Sequence, residues 1–309
     1  MPFLKPPNLQ NQAHIKQNVL EKTLFVLPQN DGEAIRSLDI LEAVKAPWVH
    51  RSLQSWGAVL DREVLPREVL SKVDRVVTFE LPAKVPEKGE LCCEERLKLQ
   101  GVDLKIIDHH RYGWVDRSSS QSSLEQLCAD IGWKLDRVDM GIAVNDRSYI
   151  GGLYEAGYTT DEVVEIRYYD LKAQGHHMGE ILDLRKKAQL WIQDHHAEKG
   201  FWLLEHLTFD KKWIMQELAL NAQKNDVHAL ERQPHKMSFS GSPEVVAALN
   251  ALKPKDWGYK GRYTCYSGGD PQTSQYWTLR GMKPLGKLLS EKIFATVTDI
   301  LKKEVADER

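Results

Sequence analysis

The first half of the chain alternates short apolar runs with stretches of helical periodicity, and this alternation restricts its fold more than any other feature. Residues 23–27, 73–81 and 102–107 are rich in β-branched and aromatic side chains, which is typical of strands. In residues 33–44, apolar side chains recur at helical spacing instead. Strands that alternate with helices form βαβ units, so we predict an α/β fold with a parallel sheet. A ligand of such a sheet binds beyond the carboxyl ends of the strands.

The remaining sequence suggests two further regions. Residues 160–226 contain no proline and few glycines, and their periodicity predicts a helical connector, although Val163, Val164 and Ile166 would also suit a strand. After Pro234, alternating strand and helix patterns predict a smaller α/β domain. We expect an N-terminal arm at 1–20, a strand–helix domain at 21–160, a connector at 161–232 and a second domain at 233–309.

Individual elements follow from the same patterns. Beyond those above, we predict strands at 48–50, 58–60, 139–144, 236–240, 262–266 and 275–280. We predict helices at 94–100, 120–131, 162–173, 179–196, 209–225, 242–252 and 285–304.

Composition excludes several classes of partner. Lys and Arg number 42 and Asp and Glu number 44, which gives a net charge of −2. Long nucleic acids and anionic membranes are bound through basic excess, so we expect neither as a partner. Cys92 and Cys93 are adjacent and no CxxC pair predicts zinc, so we expect reduced thiols in a cytoplasmic protein. No apolar run approaches the ~20 residues that span a bilayer, and the first residues lack the apolar segment of a secretory signal.

Acidic and imidazole side chains lie at the ends of the predicted strands of the first domain. In chain order they are Asp31 and Glu33, Glu80, then Asp108, His109 and His110, and finally Asn145 and Asp146. Carboxylates at one sheet edge repel one another unless a cation neutralises them, so the pattern predicts a metal site. Oxygen and imidazole ligands together suit Mn²⁺ or Mg²⁺, with other divalent metals possible. Each acid taken alone could instead be an ordinary turn or helix-start residue.

The segment Ile106-Ile107-Asp108-His109-His110 resembles the signature of the DHH phosphoesterase superfamily, in which a strand delivers Asp-His-His. The other family motifs have counterparts in the same order, at residues 28–37, 73–80 and 142–146. The resemblance covers the first half of the chain, and the C-terminal region only in outline. It implies a metal-binding DHH domain followed by a DHH-associated substrate domain.

The resemblance also implies a set of metal ligands. One ion would be held by Glu33, Glu80, His109 and Asp146, and a second by Asp31 and Glu80. Leu27 stands where the family has a metal-binding histidine, and Glu33 and Glu80 replace aspartates, so the expected number of ions is one or two. Asp108, His109 and His110 are the implied catalytic residues, with Asp108 orienting His109 and His110 facing the substrate.

Substrate contacts are implied less fully. Residues 276–281 resemble the family strand that carries a phosphate-binding arginine, here Arg280. Gly268 and Gly269 are candidates for the glycine-rich segment, although Asp270 follows them in place of a histidine. Arg147, next to the metal edge, could contact phosphate or pair with a neighbouring acid.

Four further histidines fall outside these motifs. A second Asp-His-His contains His195 and His196, but no strand precedes it and it lies in a helical pattern. His176 and His177 occupy the expected start of a helix. We interpret all four as surface or packing residues, and the sequence leaves their role open.

The leading hypothesis is a metal-dependent phosphoesterase that hydrolyses a small phosphate ester in the cleft between its domains, by water activated at the metal. A short oligonucleotide or a (cyclic) dinucleotide is the expected substrate. Pyrophosphate is less expected, because its hydrolysis needs a denser set of metals. Two alternatives stay open: a family member without hydrolase activity that binds a nucleotide or protein partner, for which Leu27 is the best evidence, and a rebuilt single-metal site with different chemistry. The sequence does not indicate an oligomeric state.

Overall fold

The computed structural model describes residues 4–9, 12, 14–54, 58–83, 90–110, 115–197, 201–223, 227–257, 259–269 and 275–307. Residues 1–3 of the expected arm, residues 224–225 of the expected helix 209–225, and Asp270 lie outside the described residues. The chain divides into two compact units, Met1–Arg147 with Tyr158–Met178 and Ser148–Gly157 with Gly179–Arg309. The segment 161–178, expected in the connector, thus belongs to the same unit as the first sheet.

The first unit contains a four-stranded sheet in which all neighbouring strands are parallel, in the order β2-β1-β3-β4. Its strands are β1 (Thr23–Leu27), β2 (Val49–Arg51), β3 (Arg75–Phe79) and β4 (Asp103–Ile107). The predicted α/β class with a parallel sheet is therefore confirmed.

Both faces of this sheet are buried, as the sequence of β1 shows. Phe25 and Leu27 pack into one apolar core, while Leu24 and Val26 pack into a second. Successive side chains of a strand point to opposite faces of the sheet. A strand covered on both sides is apolar without interruption, which explains the run Thr-Leu-Phe-Val-Leu.

Seven helices lie wholly or mostly in the described part of the first unit. They are α1 (Gln17–Glu21), α2 (Gly32–Ala43), α3 (Arg67–Leu70), α4 (Cys93–Leu99), α5 (Ser123–Ile131), α6 (Arg137–Glu155) and α7 (Thr160–Ala173). Local sequence fixes several of their starts. Ser122 and Thr159 each accept a hydrogen bond from the backbone N–H three residues later. The glutamate at that later position accepts a bond from the backbone N–H of the cap residue in turn.

Residues 139–144, predicted as a strand, lie inside α6, and this prediction is wrong. Asp139 accepts hydrogen bonds from Trp133 Nε1 and from the backbone N–H of Asp136, which stabilises the first turn of the helix. At Gly141 a β-carbon would lie 2.6 Å from the Ile166 side chain, so the glycine permits α7 to pack closely. α6 kinks at Tyr149, whose φ is 52°. Residues 58–60, also predicted as a strand, lead into a 3₁₀ turn at Leu60–Arg62.

The second unit combines a five-stranded sheet with helices. Its elements are α8 (Met178–Asp194), β5 (Trp202–Glu205), α9 (Lys212–Ala222), β6 (Ala229–Gln233), β7 (Lys236–Gly241), α10 (Pro243–Ala251), β8 (Tyr263–Gly269), β9 (Gln275–Gly281) and α11 (Lys287–Asp307). The strand order is β5-β6-β7-β9-β8, and β5 pairs with β6 in parallel while the others are antiparallel. Phe239 and Trp277 pack with Val246 and Ile293 in one core. Among the described residues, the helices are too short or too polar to cross a membrane.

Candidate metal centre

Four side chains of metal-ligand type converge at the carboxyl edge of the first sheet. Glu33 lies in the first turn of α2, Glu80 follows β3, His109 follows β4 and Asp146 lies on α6. His109 Nε2 is 2.6 Å from Asp146 Oδ2, 3.3 Å from Glu80 Oε1 and 3.8 Å from Glu33 Oε2. One ligand atom from each of the four residues lies within 4.8 Å of all the others.

The backbone determines why these four meet. β1, β3 and β4 are parallel neighbours, so the segments that follow them leave the sheet at the same edge. Glu80 has a φ of 49° and donates its backbone N–H to Ile107 O at 2.9 Å, which holds this strand end against the end of β4. Such a left-handed conformation is unusual for a non-glycine residue and is often found at functional sites.

Burial strengthens the electrostatic interactions within the cluster and shifts the pKa values of its members. The Glu33 side chain is fully buried, and those of Glu80 and His109 are 6% and 9% exposed. Burial raises the pKa of Glu33 well above its ordinary value, and the charges of Asp146 and Glu80 raise it further. Burial lowers the pKa of His109, but contacts with the Asp146 and Glu80 carboxylates outweigh it and raise the value to about 10. The cluster therefore favours a positive charge at its centre.

The four converging atoms also lack hydrogen bonds. Glu33 Oε2, Glu80 Oε1, His109 Nε2 and Asp146 Oδ2 are buried, yet within the described part of the chain none has a hydrogen-bond partner of acceptable geometry. Buried polar atoms are nearly always satisfied, so this group needs an explanation. A divalent cation at their common centre would provide one. Three carboxylate oxygens with one imidazole nitrogen suit Mn²⁺, and Mg²⁺ is compatible with the oxygens.

Asp31 lies near this cluster but does not join it. Its Oδ1 accepts a hydrogen bond from Ala34 N at 2.8 Å, so Asp31 is the N-cap of α2. Burial raises its pKa, and the charges of Glu80 and Asp146 raise it further, so the three acids interact electrostatically. Leu27 is 1% exposed in the apolar core. The structure thus gathers four of the five candidate ligands, around one position.

The residues of the Asp-His-His segment make two separate sets of contacts: His109 lies in the ligand cluster, and Asp108 contacts His110. Asp108 Oδ1 accepts hydrogen bonds from His110 N at 3.0 Å and from His110 Nδ1 at 3.2 Å. The orienting contact that was expected toward His109 is therefore made toward His110. Burial lowers the pKa of His110, but the hydrogen bond to Asp108 and the charge of Glu80 outweigh it and raise the pKa. Because a carboxylate only accepts, His110 Nδ1 carries the proton.

The predicted substrate residues occupy different places. Arg147 Nε lies 3.2 Å from Glu125 Oε2, and its Nη1 donates to Ser120 O, so Arg147 pairs with an acid as one of its two interpretations proposed. Arg280 is exposed on β9 of the second unit. Gly268 and Gly269 lie on the neighbouring strand β8, opposite Tyr276 and Gln275.

The remaining histidines lie away from the cluster. His195 stacks on the Trp191 ring with centroids 3.9 Å apart, and its Nδ1 is 2.7 Å from Trp191 O. His196 follows it beyond the end of α8, and His176 and His177 lie between α7 and α8. In the part of the chain that the structure describes, these four do not contribute to a metal-ligand cluster.

The sequence missed two residues that contact the ligand-bearing segments. Asp170 on α7 accepts a hydrogen bond from Gly32 N, and Arg167 on the same helix donates to Asn145 Oδ1. Both lie in a region predicted to be a connector. Their partners are 138 and 22 residues away, and local patterns carry no signal for such contacts.

Comparison with known proteins gives a limited result. No family model and no curated protein matches the chain. Among matching solved structures is RecJ from Thermus thermophilus in complex with Mn²⁺, at 13% identity and a TM-score of 0.43, with 96% of this chain and 56% of that chain covered. The Mg²⁺ complex of the same protein matches at 11% identity and a TM-score of 0.41, over 93% of this chain and 51% of that chain. The chain spans about half the length of these structures. Similarity at this level assigns neither a family nor an activity.

Proposed function

We propose that the chain is a metal-dependent phosphoesterase that hydrolyses a short oligonucleotide or a (cyclic) dinucleotide. The observation that carries this proposal is the convergence of four buried ligand atoms without hydrogen bonds, from Glu33, Glu80, His109 and Asp146. The resemblance of residues 106–110 to the DHH signature supports a phosphate ester as the substrate class.

These four residues would hold one divalent ion, for which Mn²⁺ or Mg²⁺ is the expected choice. A bound divalent ion supplies Lewis acidity and activates water for attack on phosphorus. Glu33 is further held by a hydrogen bond from Leu124 N to its Oε1 at 2.9 Å, which leaves Oε2 for the ion. The chain thereby presents a ligand set that is fixed before the ion arrives, and such pre-organisation favours catalysis.

His110 is the residue that we assign to the substrate. Its side chain is 46% exposed, and its Nδ1 lies 3.2 Å from Asp108 Oδ1, which orients the Nε2 edge of the ring away from Asp108. When protonated, the ring can donate from Nε2 to a phosphoryl oxygen or to the leaving oxygen. Asp108 acts through His110 and fixes the ring orientation.

A single ion explains why we favour a phosphodiester over pyrophosphate. Leu27 contributes apolar packing where the family that the chain resembles has an imidazole, and Asp31 lies outside the cluster of four ligand atoms. With one ion, fewer phosphoryl charges can be neutralised. A phosphodiester carries one negative charge per linkage, so it has less phosphoryl charge for the ion to neutralise than pyrophosphate has.

A second candidate is a nucleotide-binding protein without hydrolase activity. The observation that favours it is Leu27, because a buried leucine stands where the family that the chain resembles has a metal-binding histidine. This candidate predicts that dinucleotides bind to the protein and remain intact.

The test measures mononucleotide release by purified protein with Mn²⁺, using linear dinucleotides, cyclic dinucleotides and oligonucleotides of two to five residues. We expect turnover in the wild type and a loss of at least about 100-fold in Asp146→Asn, the scale on which a lost electrostatic stabiliser lowers kcat. Asp183→Asn is the matched control, because the Asp183 side chain is 60% exposed and pairs with Lys187 on the surface of α8. Binding without cleavage in the wild type would favour the second candidate, and equal turnover in both Asp variants would refute the site.

A further inference from the structure

Two buried residues of α7 contact two of the four chain segments that carry metal-ligand candidates. Asp170 Oδ1 accepts a hydrogen bond from Gly32 N at 3.0 Å, and Asp170 Oδ2 accepts from Arg167 Nη1 at 2.8 Å. Arg167 Nη1 also donates to Asn145 Oδ1 at 3.0 Å. One ion pair thus connects the residue before Glu33 to the residue before Asp146.

We propose that the Arg167–Asp170 pair is a positioning unit that sets the separation of Glu33 and Asp146 and thereby the affinity of the metal centre. The inference rests on the proposed function, since it assumes that these two carboxylates hold an ion. Arg167 and Asp170 are not among the four clustered ligand residues, so we treat them as positioning residues. Groups that hold ligands in place from behind are a general determinant of metal affinity.

The contact with Gly32 acts on the start of α2. The first N–H groups of a helix have no partner within the helix. Asp31 takes the N–H of Ala34, and Asp170 takes that of Gly32, so a carboxylate holds the backbone on each side of Glu33. The first turn of α2 therefore has little freedom to rotate Glu33 away from the cluster.

Close packing supports the same conclusion independently. A β-carbon at Gly32 would lie 3.1 Å from Asp170 Cα and 3.2 Å from Tyr169 Cδ1. α7 is therefore in direct contact with the start of α2 at this point, and the glycine allows the approach. A hydrogen bond and a tight steric contact together fix the distance between the two helices.

The contact with Asn145 acts on α6. Asp146 lies three residues before the kink at Tyr149, where the helical backbone geometry is interrupted. The turn that carries Asp146 therefore has less helix after it than an interior turn would have. The hydrogen bond from Arg167 to Asn145, whose side chain is buried, adds an anchor one residue before the ligand.

The experiment measures Mn²⁺ affinity by calorimetry, together with the thermal midpoint of the metal-free protein, for Asp170→Asn, Arg167→Lys and Asn145→Ala. We expect each variant to weaken Mn²⁺ binding by at least about 10-fold, the usual effect of removing a group that orients a metal ligand. Asn145→Ala leaves the buried ion pair intact, so it tests the inference even if the two other variants do not fold.

Asp139→Asn is the matched control. It breaks another buried pair between α6 and α2, in which Asp139 Oδ1 lies 2.6 Å from Arg36 Nε. Asp139→Asn should lower the thermal midpoint, because it breaks this pair. Since Asp139 is not adjacent to a ligand candidate, the Mn²⁺ affinity should change less than about 3-fold, well below the range for groups that orient ligands. A purely structural role for Arg167 and Asp170 would move the midpoint alone.

Three results separate the outcomes. Weaker binding in the α7 and Asn145 variants, with the control unchanged, supports the inference. Unchanged affinity in folded variants, beside a wild type that binds Mn²⁺, overturns the inference and leaves the proposed function intact. A wild type that binds no Mn²⁺ overturns the proposed function and the inference with it.

Discussion

A largely buried lysine in the second unit should give the stability of the protein a distinctive pH dependence. Lys211 precedes α9, and its Nζ donates to Ser238 Oγ on β7 and lies 3.4 Å from Ser240 Oγ. The nearest carboxylate described is Glu231, at 3.9 Å, and Lys236 lies closer to it, at 2.8 Å. The Lys211 ammonium therefore lies in a largely buried site and shares its carboxylate with a second lysine.

These surroundings lower the pKa of Lys211 from 10.5 to about 8. Burial is the main cause, the attraction of Glu231 opposes it, and repulsion from Lys236 adds to it. At about 1.4 kcal/mol for each pH unit, the difference corresponds to roughly 3 kcal/mol of unfolding free energy. Between pH 8 and 10.5 the unfolded chain holds a proton that the folded chain has released, so unfolding free energy rises with pH in this window.

Lys211→Met removes this titration and keeps most of the side-chain volume. The free-energy difference between wild type and variant should therefore shift in favour of the wild type by roughly 3 kcal/mol from pH 7 to pH 10.5. The absolute difference at pH 7 is less informative, because the variant also leaves the hydroxyls of Ser238 and Ser240 without their donor, at about 1–3 kcal/mol for a buried group.

The assay is urea unfolding at fixed pH, followed by tryptophan fluorescence, with Trp213 and Trp277 buried in the second unit. Lys187→Met is the control, since the Lys187 side chain is 53% exposed on α8, and it should leave the pH dependence as in the wild type. A wild-type-minus-variant difference that stays within about 0.5 kcal/mol across the whole pH range, comparable with extrapolation error, would refute the reasoning.

Three further predictions concern the metal centre. Mn²⁺ at 100 times its dissociation constant should stabilise the protein by about 2.7 kcal/mol, measured by thermal unfolding, and an unchanged midpoint would argue against a site. His110→Ala should lower kcat by about 100-fold or more while Mn²⁺ affinity stays the same, and a parallel loss of metal would make His110 a ligand instead. Leu27→His should destabilise the fold by about 2–4 kcal/mol and leave the metal stoichiometry, measured by mass spectrometry, at one. A stoichiometry of two would show that only the imidazole was missing.

The parallel sheet could be predicted because its signal is local. β1, β3 and β4 are apolar runs with β-branched residues, and each lies within the predicted residues 23–27, 73–81 and 102–107. The segment 139–144 could not be assigned in the same way, because a short apolar run suits a strand or a buried helix equally. Contacts outside the segment stabilise it as a helix: Asp139 accepts a hydrogen bond from Trp133 Nε1, and Gly141 lies against Ile166 on α7.

The candidate site was accessible to sequence reasoning for a related reason. Glu80 and His109 follow strands that the sequence identifies, and parallel strands bring their carboxyl ends together whatever the loops do. Asp146 reaches the same cluster although its segment is a helix. The capping bond of Asp31 could not be predicted, because an acid before a helix can cap it, bind an ion or do both, and only the structure shows the bond from Ala34 N to its Oδ1.

The start of α2 also explains how so many acids can fold together before a cation arrives. Asp31 and Asp170 accept hydrogen bonds from its first N–H groups, and Glu33 lies in its first turn. The N-terminus of a helix carries a partial positive charge of about half a unit, which favours nearby carboxylates. The ring of His109, with a pKa of about 10, adds a full positive charge in the metal-free protein. Because a divalent ion would compete with that proton for Nε2, metal binding should release protons, and calorimetry in buffers of different ionisation enthalpy would detect them.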